Sequence, residues 1–205
     1  MTSRKFFNIK TMAKVSILAA IAFILMEFDF PIPFIAPPFY KLDFSEVAVL
    51  IGGFAMGPLA GVAIEAMKVF LSCLFFGSGT AYVGELANFV MGCAFILPAA
   101  WYYRRHKNLK SALIGMILGT LCLMLVGGLT NYFVMLPAYS FFFNMPLEAI
   151  ISMGAKVVPF VDNAFTLVLF CTTPFNLIKG VILTVITMLA YKKLSVFIKS
   201  KQIDL

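Results

Sequence analysis

The chain has 205 residues, of which 62% are hydrophobic and only 12% are charged. A soluble domain is roughly half apolar and about a quarter charged, so this chain has too little polar surface to fold in water. Disordered chains are poor in apolar residues, which excludes disorder as well. Long, unbroken apolar runs favour membrane-spanning helices over barrel strands, whose polarity would alternate. The composition therefore predicts an all-α integral membrane protein.

The formal net charge of +7 is concentrated at the ends of apolar runs. The basic clusters lie within Arg4–Lys14, Arg104–Lys110 and Lys192–Lys201. Basic residues at helix ends are retained on the cytoplasmic side of a membrane. We therefore expect both termini and the middle cluster to be cytoplasmic. In a nucleic-acid-binding tail, the basic residues would not recur at helix ends. We therefore expect the protein to lie in a lipid bilayer and to bind no nucleic acid.

The apolar pattern predicts six transmembrane helices in a single membrane domain that covers residues 1–205. The predicted spans, in chain order, are Met12–Phe28, Asp43–Gly57, Leu59–Phe76, Ala81–Tyr103, Ser111–Val134 and Asn163–Tyr191. The sixth span is expected to be interrupted at Pro174, because proline lacks the N–H that a helix interior needs. Between the last two spans, a short surface helix is expected within Pro146–Val158.

The segment 30–40 carries four prolines, which exclude a helix and predict a stiff extracytoplasmic first loop. The second span is only about 14 residues long, or roughly 21 Å, which is shorter than the hydrocarbon core of a bilayer. The loop is therefore expected to dip deeply into the outer half of the protein. Irregular backbone at that depth is tolerated only where it is buried or lines a cavity. A binding cavity open to the outside is the simplest inference.

The chain lacks the residue clusters of a metal centre or an ATPase. His106 is the only histidine and the four cysteines are scattered, so no metal site is predicted. No G-x-x-x-x-G-K-[ST] motif is present, so ATP hydrolysis by that machinery is not expected. A small membrane enzyme acting on lipid or isoprenoid is an alternative. Such an enzyme should cluster its acids at one membrane face, whereas the nine acidic residues here are scattered.

Polar residues within apolar spans are functional candidates because they are costly in lipid. Asn131 lies near the end of the fifth span, and Asn176 and Lys179, three residues apart, share one face of the sixth. Their amide and ammonium groups suit a flat heterocycle with carbonyl groups and ring nitrogens. The aromatic side chains expected to supply stacking walls are Phe39, Tyr40, Phe44, Tyr132 and Phe133.

Two further polar pairs lie in the third and fourth spans. Glu65 and Lys68 are three residues apart, and we expect them to neutralise each other. Glu85 and Asn88 repeat this spacing. They either line the cavity or form hydrogen bonds with a neighbouring helix.

Three segments resemble the signature segments of the riboflavin-binding S components of energy-coupling factor (ECF) vitamin transporters. They are KLDFSE (41–46), NYFVMLPAY (131–139) and PFNLIKG (174–180). The resemblance extends over essentially the whole chain. It implies a vitamin-capture subunit in a bacterial plasma membrane, with no cofactor and no ATPase of its own.

The resemblance also implies a ligand site. Riboflavin would lie in the outer half, roofed by the first loop, with its ring edge on Asn131, Asn176 and Lys179. The first signature segment adds Leu42 and Asp43 as candidate ligand contacts. An S component for another vitamin, or for the flavin nucleotide FMN, remains the alternative.

The partners that the resemblance implies are a transmembrane scaffold (T) subunit and two ATPase subunits. An S component would dock on the scaffold through its first helix. The docking surface of the family usually carries Ala-x-x-x-Ala, whereas the nearest match here is Ser16-x-x-x-Ala20. Small residues at this spacing still permit the close approach of two helices.

Overall fold

The computed structural model describes residues 8–199. Within these residues, five helical stretches are long and apolar enough to cross a membrane: Ile9–Glu27, Pro58–Phe76, Val83–His106, Leu109–Phe143 and Ala164–Tyr191. The predicted second span corresponds to a shorter apolar helix, Ser45–Met56. The predicted helical membrane class is confirmed. The ends of the two terminal basic clusters, at Arg4 and Lys201, lie outside the described residues.

The first helix, α1 (Ile9–Glu27), is followed by the proline-rich loop. Two short strands, β1 (Phe30–Pro31) and β2 (Lys41–Leu42), pair antiparallel and close this loop at its base. An ion pair of 3.0 Å between Lys41 and Asp29 lies beside the pairing. The loop contains no helix, as its prolines predict.

The next two helices are α2 (Ser45–Met56) and α3 (Pro58–Phe76). They are separated by Gly57, whose φ of +103° is a conformation that glycine adopts without strain. Pro58 then begins α3, where its missing N–H has no helical partner to lose. This Gly-Pro pair limits α2 to 12 residues.

The next two helices, α4 (Val83–His106) and α5 (Leu109–Thr130), pack closely against each other. A Cβ atom on Gly115 would lie 2.6 Å from the carbonyl oxygen of Ala99. A Cβ atom on Gly119 would lie 2.3 Å from the carbonyl oxygen of Phe95. The two glycines therefore allow backbone-to-backbone contact, as small residues commonly do between membrane helices.

The prediction that the fifth span ends at Val134 is wrong, because the helix continues to Phe143. A π-helical segment, Asn131–Met135, joins α5 to α6 (Leu136–Phe143). The N–H of Leu136 donates to the carbonyl oxygen of Asn131, five residues back. This shift of the hydrogen-bond register directly precedes Pro137, and it lets the helix pass a residue that has no N–H.

A π-helical segment also precedes Pro174. The surface helix α7 (Leu147–Ala155) confirms the short helix predicted in this region, and α8 (Ala164–Leu167) follows it. A second π-helical segment, Val168–Thr172, then leads into α9 (Thr173–Lys199). The N–H of Thr173 donates to the carbonyl oxygen of Val168. The predicted interruption is therefore a local widening rather than a break.

Candidate ligand-binding site

A cavity of about 640 Å³ opens at one end of the helix bundle. Its rim is formed by the end of α1, the proline-rich loop and the turn between α3 and α4. Its deeper wall is formed by α4, by α5 with the π-helical segment and α6 that follow it, and by α9. Ligand pockets in proteins commonly measure about 300–1,000 Å³. The size therefore suits a small molecule of several rings.

The predicted polar group Asn131, Asn176 and Lys179 lies together in the cavity wall. Asn131 and Asn176 are 6% and 4% exposed, so each amide is held in a largely water-free position. The Asn131 Nδ2 donates to the carbonyl oxygen of Gly127 over 2.8 Å. The Asn176 Nδ2 has no hydrogen-bond partner among the described residues. Buried donors are normally satisfied, so this atom is available to a ligand acceptor.

Lys179 is held by the carboxylate of Asp43. The Lys179 Nζ donates to Asp43 Oδ2 over 3.0 Å, and both residues line the cavity. The backbone N–H of Ser45 donates to the other carboxylate oxygen over 2.9 Å. Burial raises the pKa of Asp43, but the ammonium groups of Lys179 and Lys68 and the Ser45 hydrogen bonds lower it more. The net pKa of Asp43 is below its usual range, so the carboxylate stays ionised.

Aromatic rings lie beside this polar wall. The Tyr40 ring is 4.6 Å from Phe39 and 5.6 Å from Phe175, and Phe39 is 5.7 Å from Tyr139. The Tyr40 hydroxyl forms a 2.7 Å hydrogen bond with Thr172. Burial raises the pKa of Tyr40, so its hydroxyl remains protonated. The four rings, all on the cavity, offer flat apolar surfaces for stacking.

Glu85 and Asn88 lie in the cavity wall on α4. One carboxylate oxygen of Glu85 accepts hydrogen bonds from Ser78 at 2.8 Å and from Thr80 at 2.7 Å. The Asn88 Oδ1 is buried without a partner among the described residues. The structure thus places both residues of this pair in the cavity lining, which was the first of the two predicted positions.

Four other predicted site residues, Leu42, Phe44, Tyr132 and Phe133, do not reach the cavity lining. Leu42 is fully buried in the core beneath the loop. Phe44 packs against Phe30, with ring centroids 5.9 Å apart. Tyr132 is 40% exposed and lies edge-on to Phe133, at a groove on the other side of the helix. The aromatic wall is therefore built by a partly different set of rings.

Sequence reasoning missed Gly127 and two of the cavity rings, Tyr139 and Phe175. The Gly127 carbonyl oxygen accepts the hydrogen bond from Asn131, and Gly127 also lies against Asn176. It therefore fixes the positions of both side-chain amides. Phe175 lies next to Asn176 in the sequence and contributes a ring to the cavity. The Gly127-Gly128 pair was a visible signal, but its spacing alone predicts only helix packing or bending. Among the described residues, no group of three potential metal ligands occurs.

The placement of the two predicted docking residues is also clear. Ser16 and Ala20 both lie on the exposed face of α1. Ala19 and Ala22 face the bundle and are fully buried in it. The exposed face of α1 is therefore free to contact lipid or another membrane protein.

Comparison with known proteins agrees with this arrangement. Residues 10–191 match the family model of the ECF transporter, substrate-specific component. The chain is 37% identical over 190 residues to the riboflavin transporter RibU of Staphylococcus aureus (strain TCH60), covering 93% of each chain. It is 35% identical over 196 residues to the riboflavin transporter FmnP of Bacillus subtilis (strain 168), covering 95% of this chain and 97% of that protein.

The fold agrees as well. A solved structure of the S component of a bacterial ECF transporter superposes with a TM-score of 0.72 at 35% sequence identity. The match covers 93% of this chain and 98% of that one. The chain belongs to the substrate-specific S components of ECF transporters.

Proposed function

We propose that this protein binds riboflavin as the S component of an ECF transporter and delivers it across the membrane. The observation that carries the proposal is the juxtaposition of Asn131, Asn176 and Lys179 with aromatic rings in one cavity. The relatives from Staphylococcus aureus and Bacillus subtilis are named riboflavin transporters. The chain supplies the capture step and hydrolyses no ATP itself.

The ring system of riboflavin fits the chemistry of this wall. Its pyrimidine edge presents two carbonyl oxygens and one ring N–H. The Asn176 Nδ2 and the Lys179 ammonium supply donors for the carbonyl oxygens, and an amide oxygen accepts from the ring N–H. The apolar faces of the ring system would stack on Tyr40, Tyr139 and Phe175.

In the membrane, we infer a single domain of six crossing helices with both termini in the cytoplasm. The cavity then opens to the outside of a bacterial plasma membrane, where the proline-rich loop roofs it. The 12 residues of α2 cover only roughly 18 Å, so this crossing is completed by the first loop, which dips into the outer half. The basic residues at the far end of α4 from the cavity support this orientation.

Transport needs an energy source that this chain lacks. We infer that α1 docks on a transmembrane scaffold (T) subunit, which is driven by two ATPase subunits. Ser16 and Ala20, one helical turn apart on the exposed face of α1, permit close helix contact. The family membership supports a partner of this kind.

FMN is the second candidate ligand, and the charges of the cavity disfavour it. The lining carries the carboxylates of Glu27, Asp29, Asp43, Glu46 and Glu85. It carries two ammonium groups, on Lys41 and Lys179, and each is already paired with a carboxylate. A phosphate monoester carries about −1.5 to −2 charges at pH 7 and would meet this negative surplus.

The proposal is tested by gel filtration of the purified protein, in detergent and without partners, after incubation with riboflavin or FMN. The visible absorption of riboflavin should elute with the protein, and FMN should be retained less. Elution of all riboflavin apart from the protein would contradict the proposed ligand. Preferential retention of FMN would make the nucleotide the ligand instead.

A further inference from the structure

A fully buried lysine lies directly behind the cavity wall. Lys68 on α3 has no exposed surface, yet its ammonium contacts three oxygens. It pairs with Glu65 Oε1 at 2.7 Å and with Glu46 Oε1 at 3.0 Å, and it donates to the hydroxyl of Ser45 at 3.1 Å. The predicted pairing of Glu65 with Lys68 is confirmed, but it is only part of a larger network. The ammonium thus donates hydrogen bonds to Ser45 and Glu46 and forms a further ion pair with Glu65.

This network reaches the cavity at Glu46 and, through Ser45, at Asp43. Lys68 and Ser45 do not line the cavity, whereas Asp43 and Lys179 do. The Ser45 hydroxyl donates to Asp43 Oδ1, and Lys179 donates to Asp43 Oδ2. A chain of polar contacts therefore runs from α3, through the start of α2, to α9.

Lys68 fixes the direction of each hydrogen bond in this series of polar contacts. A serine hydroxyl has one proton to donate, and an ammonium can only donate. Because Lys68 donates to the Ser45 oxygen, the Ser45 proton is left to point at Asp43. Asp43 Oδ1 then receives both the hydroxyl and the backbone N–H of Ser45, which leaves Oδ2 for Lys179.

The charges of the network also make the pairing of Asp43 with Lys179 depend on Lys68. The network holds three carboxylates, of Asp43, Glu46 and Glu65, against the ammonium groups of Lys68 and Lys179. Removing the counter-charge of a buried pair leaves an uncompensated charge, which is strongly unfavourable. Without Lys68, the carboxylate of Glu46, which also lines the cavity, would compete with Asp43 for Lys179.

We propose that Lys68 and Ser45 are positioning residues for ligand binding, which hold the Lys179 ammonium in the cavity wall through Asp43. This inference rests on the proposed riboflavin site. Neither residue lines the cavity, and the contacts of the network lead from them through Asp43 to Lys179. The expectation is therefore specific: their effect on affinity should depend on the presence of the Lys179 ammonium.

A double-mutant cycle tests this dependence. Riboflavin affinity is measured by fluorescence quenching for the wild type, Ser45→Ala, Lys179→Met and the double variant. Ser45→Ala removes the relay without leaving a buried charge unpaired. It should weaken binding about tenfold in the wild-type background, the usual effect of a lost hydrogen bond to a charged group. In the Lys179→Met background it should weaken binding by no more than about twofold.

The cycle is repeated with the charge-balanced change Lys68→Met plus Glu65→Gln, which removes one charge of each sign. The matched control is Thr187→Val, since the Thr187 hydroxyl is also buried but lies outside the network. It should leave affinity unchanged. Equal losses of affinity in both backgrounds would overturn the inference, because they would mean a general destabilisation. Absence of riboflavin binding by the wild type would instead overturn the proposed function.

Discussion

Gly127 and Asn176 lie so close together that a Cβ atom on Gly127 would stand 2.3 Å from the Asn176 Nδ2. The glycine is on α5 and the asparagine on α9, so the contact joins two helices at the cavity wall. The Gly127 carbonyl oxygen also accepts the hydrogen bond from Asn131. One glycine thus sets the position of two amides that we assign to the ligand.

Gly127→Ala should therefore weaken riboflavin binding by about tenfold or more, since it displaces an amide worth about 1–3 kcal/mol to a buried polar ligand. Fluorescence titration measures the change. Gly128→Ala is the matched control, because its Cβ would meet Val168 Cγ1 at an ordinary distance of 3.5 Å. Both changes add the same methyl group to a helix. Equal affinities for the two variants would place the ligand away from Asn176.

Removing the Asn176 amide itself is the second prediction. Asn176→Ala should lower riboflavin affinity about tenfold to a hundredfold, because a buried ligand carbonyl loses its donor. Leu177→Ala, one residue along the same helix, is the control, since Leu177 is 42% exposed on the outer face. Calorimetry should give wild-type affinity for the control. Wild-type affinity for Asn176→Ala as well would exclude this wall from the site.

Binding and transport should be separable on α1. The residues of α1 that line the cavity are Met26 and Glu27, at its far end, so Ser16→Trp and Ala20→Trp should leave riboflavin affinity near normal. The bulky ring should prevent close contact with a scaffold helix and abolish uptake by cells. Uptake of labelled riboflavin and co-purification with the energising subunits measure these effects.

The control for this prediction is Leu125→Trp. Leu125 is 65% exposed on α5, a helix that packs against α4 and α9 rather than α1. Uptake should survive this change. Normal uptake by both α1 variants would locate the docking surface elsewhere. A loss of riboflavin binding by the purified α1 variants would mean that α1 supports the cavity itself.

The negative charge of the cavity should discriminate against phosphate. FMN should bind more weakly than riboflavin, and Glu85→Gln should reduce the difference, since the amide retains the hydrogen bonding but not the charge. Glu148→Gln is the control, because this exposed carboxylate on α7 does not line the cavity. Competition titrations give the ratio of the two affinities. An unchanged ratio for Glu85→Gln would mean that the phosphate lies far from α4.

The sequence predicts much of this site because the relevant patterns are local. Asn176 and Lys179 are three residues apart, which puts them on one helix face whatever the tertiary structure. Their assignment to a common wall with Asn131 came from position within the spans. The membrane class and the loop followed from composition and from the prolines.

Other features depend on contacts between distant segments and could not be predicted. Gly127 positions Asn176 only because α5 packs against α9, and no local sequence pattern predicts that packing. The continuation of the helix past Pro137 depends on a π-helical register that a proline pattern does not specify. The sequence predicts only a local pair of Lys68 with Glu65. The contacts of Lys68 with Ser45 and Glu46 depend on the packing of α3 against α2.

The central claim is that one riboflavin molecule stacks in this cavity, and a fluorescence titration tests it most directly. Purified protein in detergent, without scaffold or ATPase subunits, is added to a fixed concentration of riboflavin. Stacking on the aromatic wall should quench flavin fluorescence until one protein chain is present for each flavin. Undiminished fluorescence at a several-fold excess of folded protein would contradict the account.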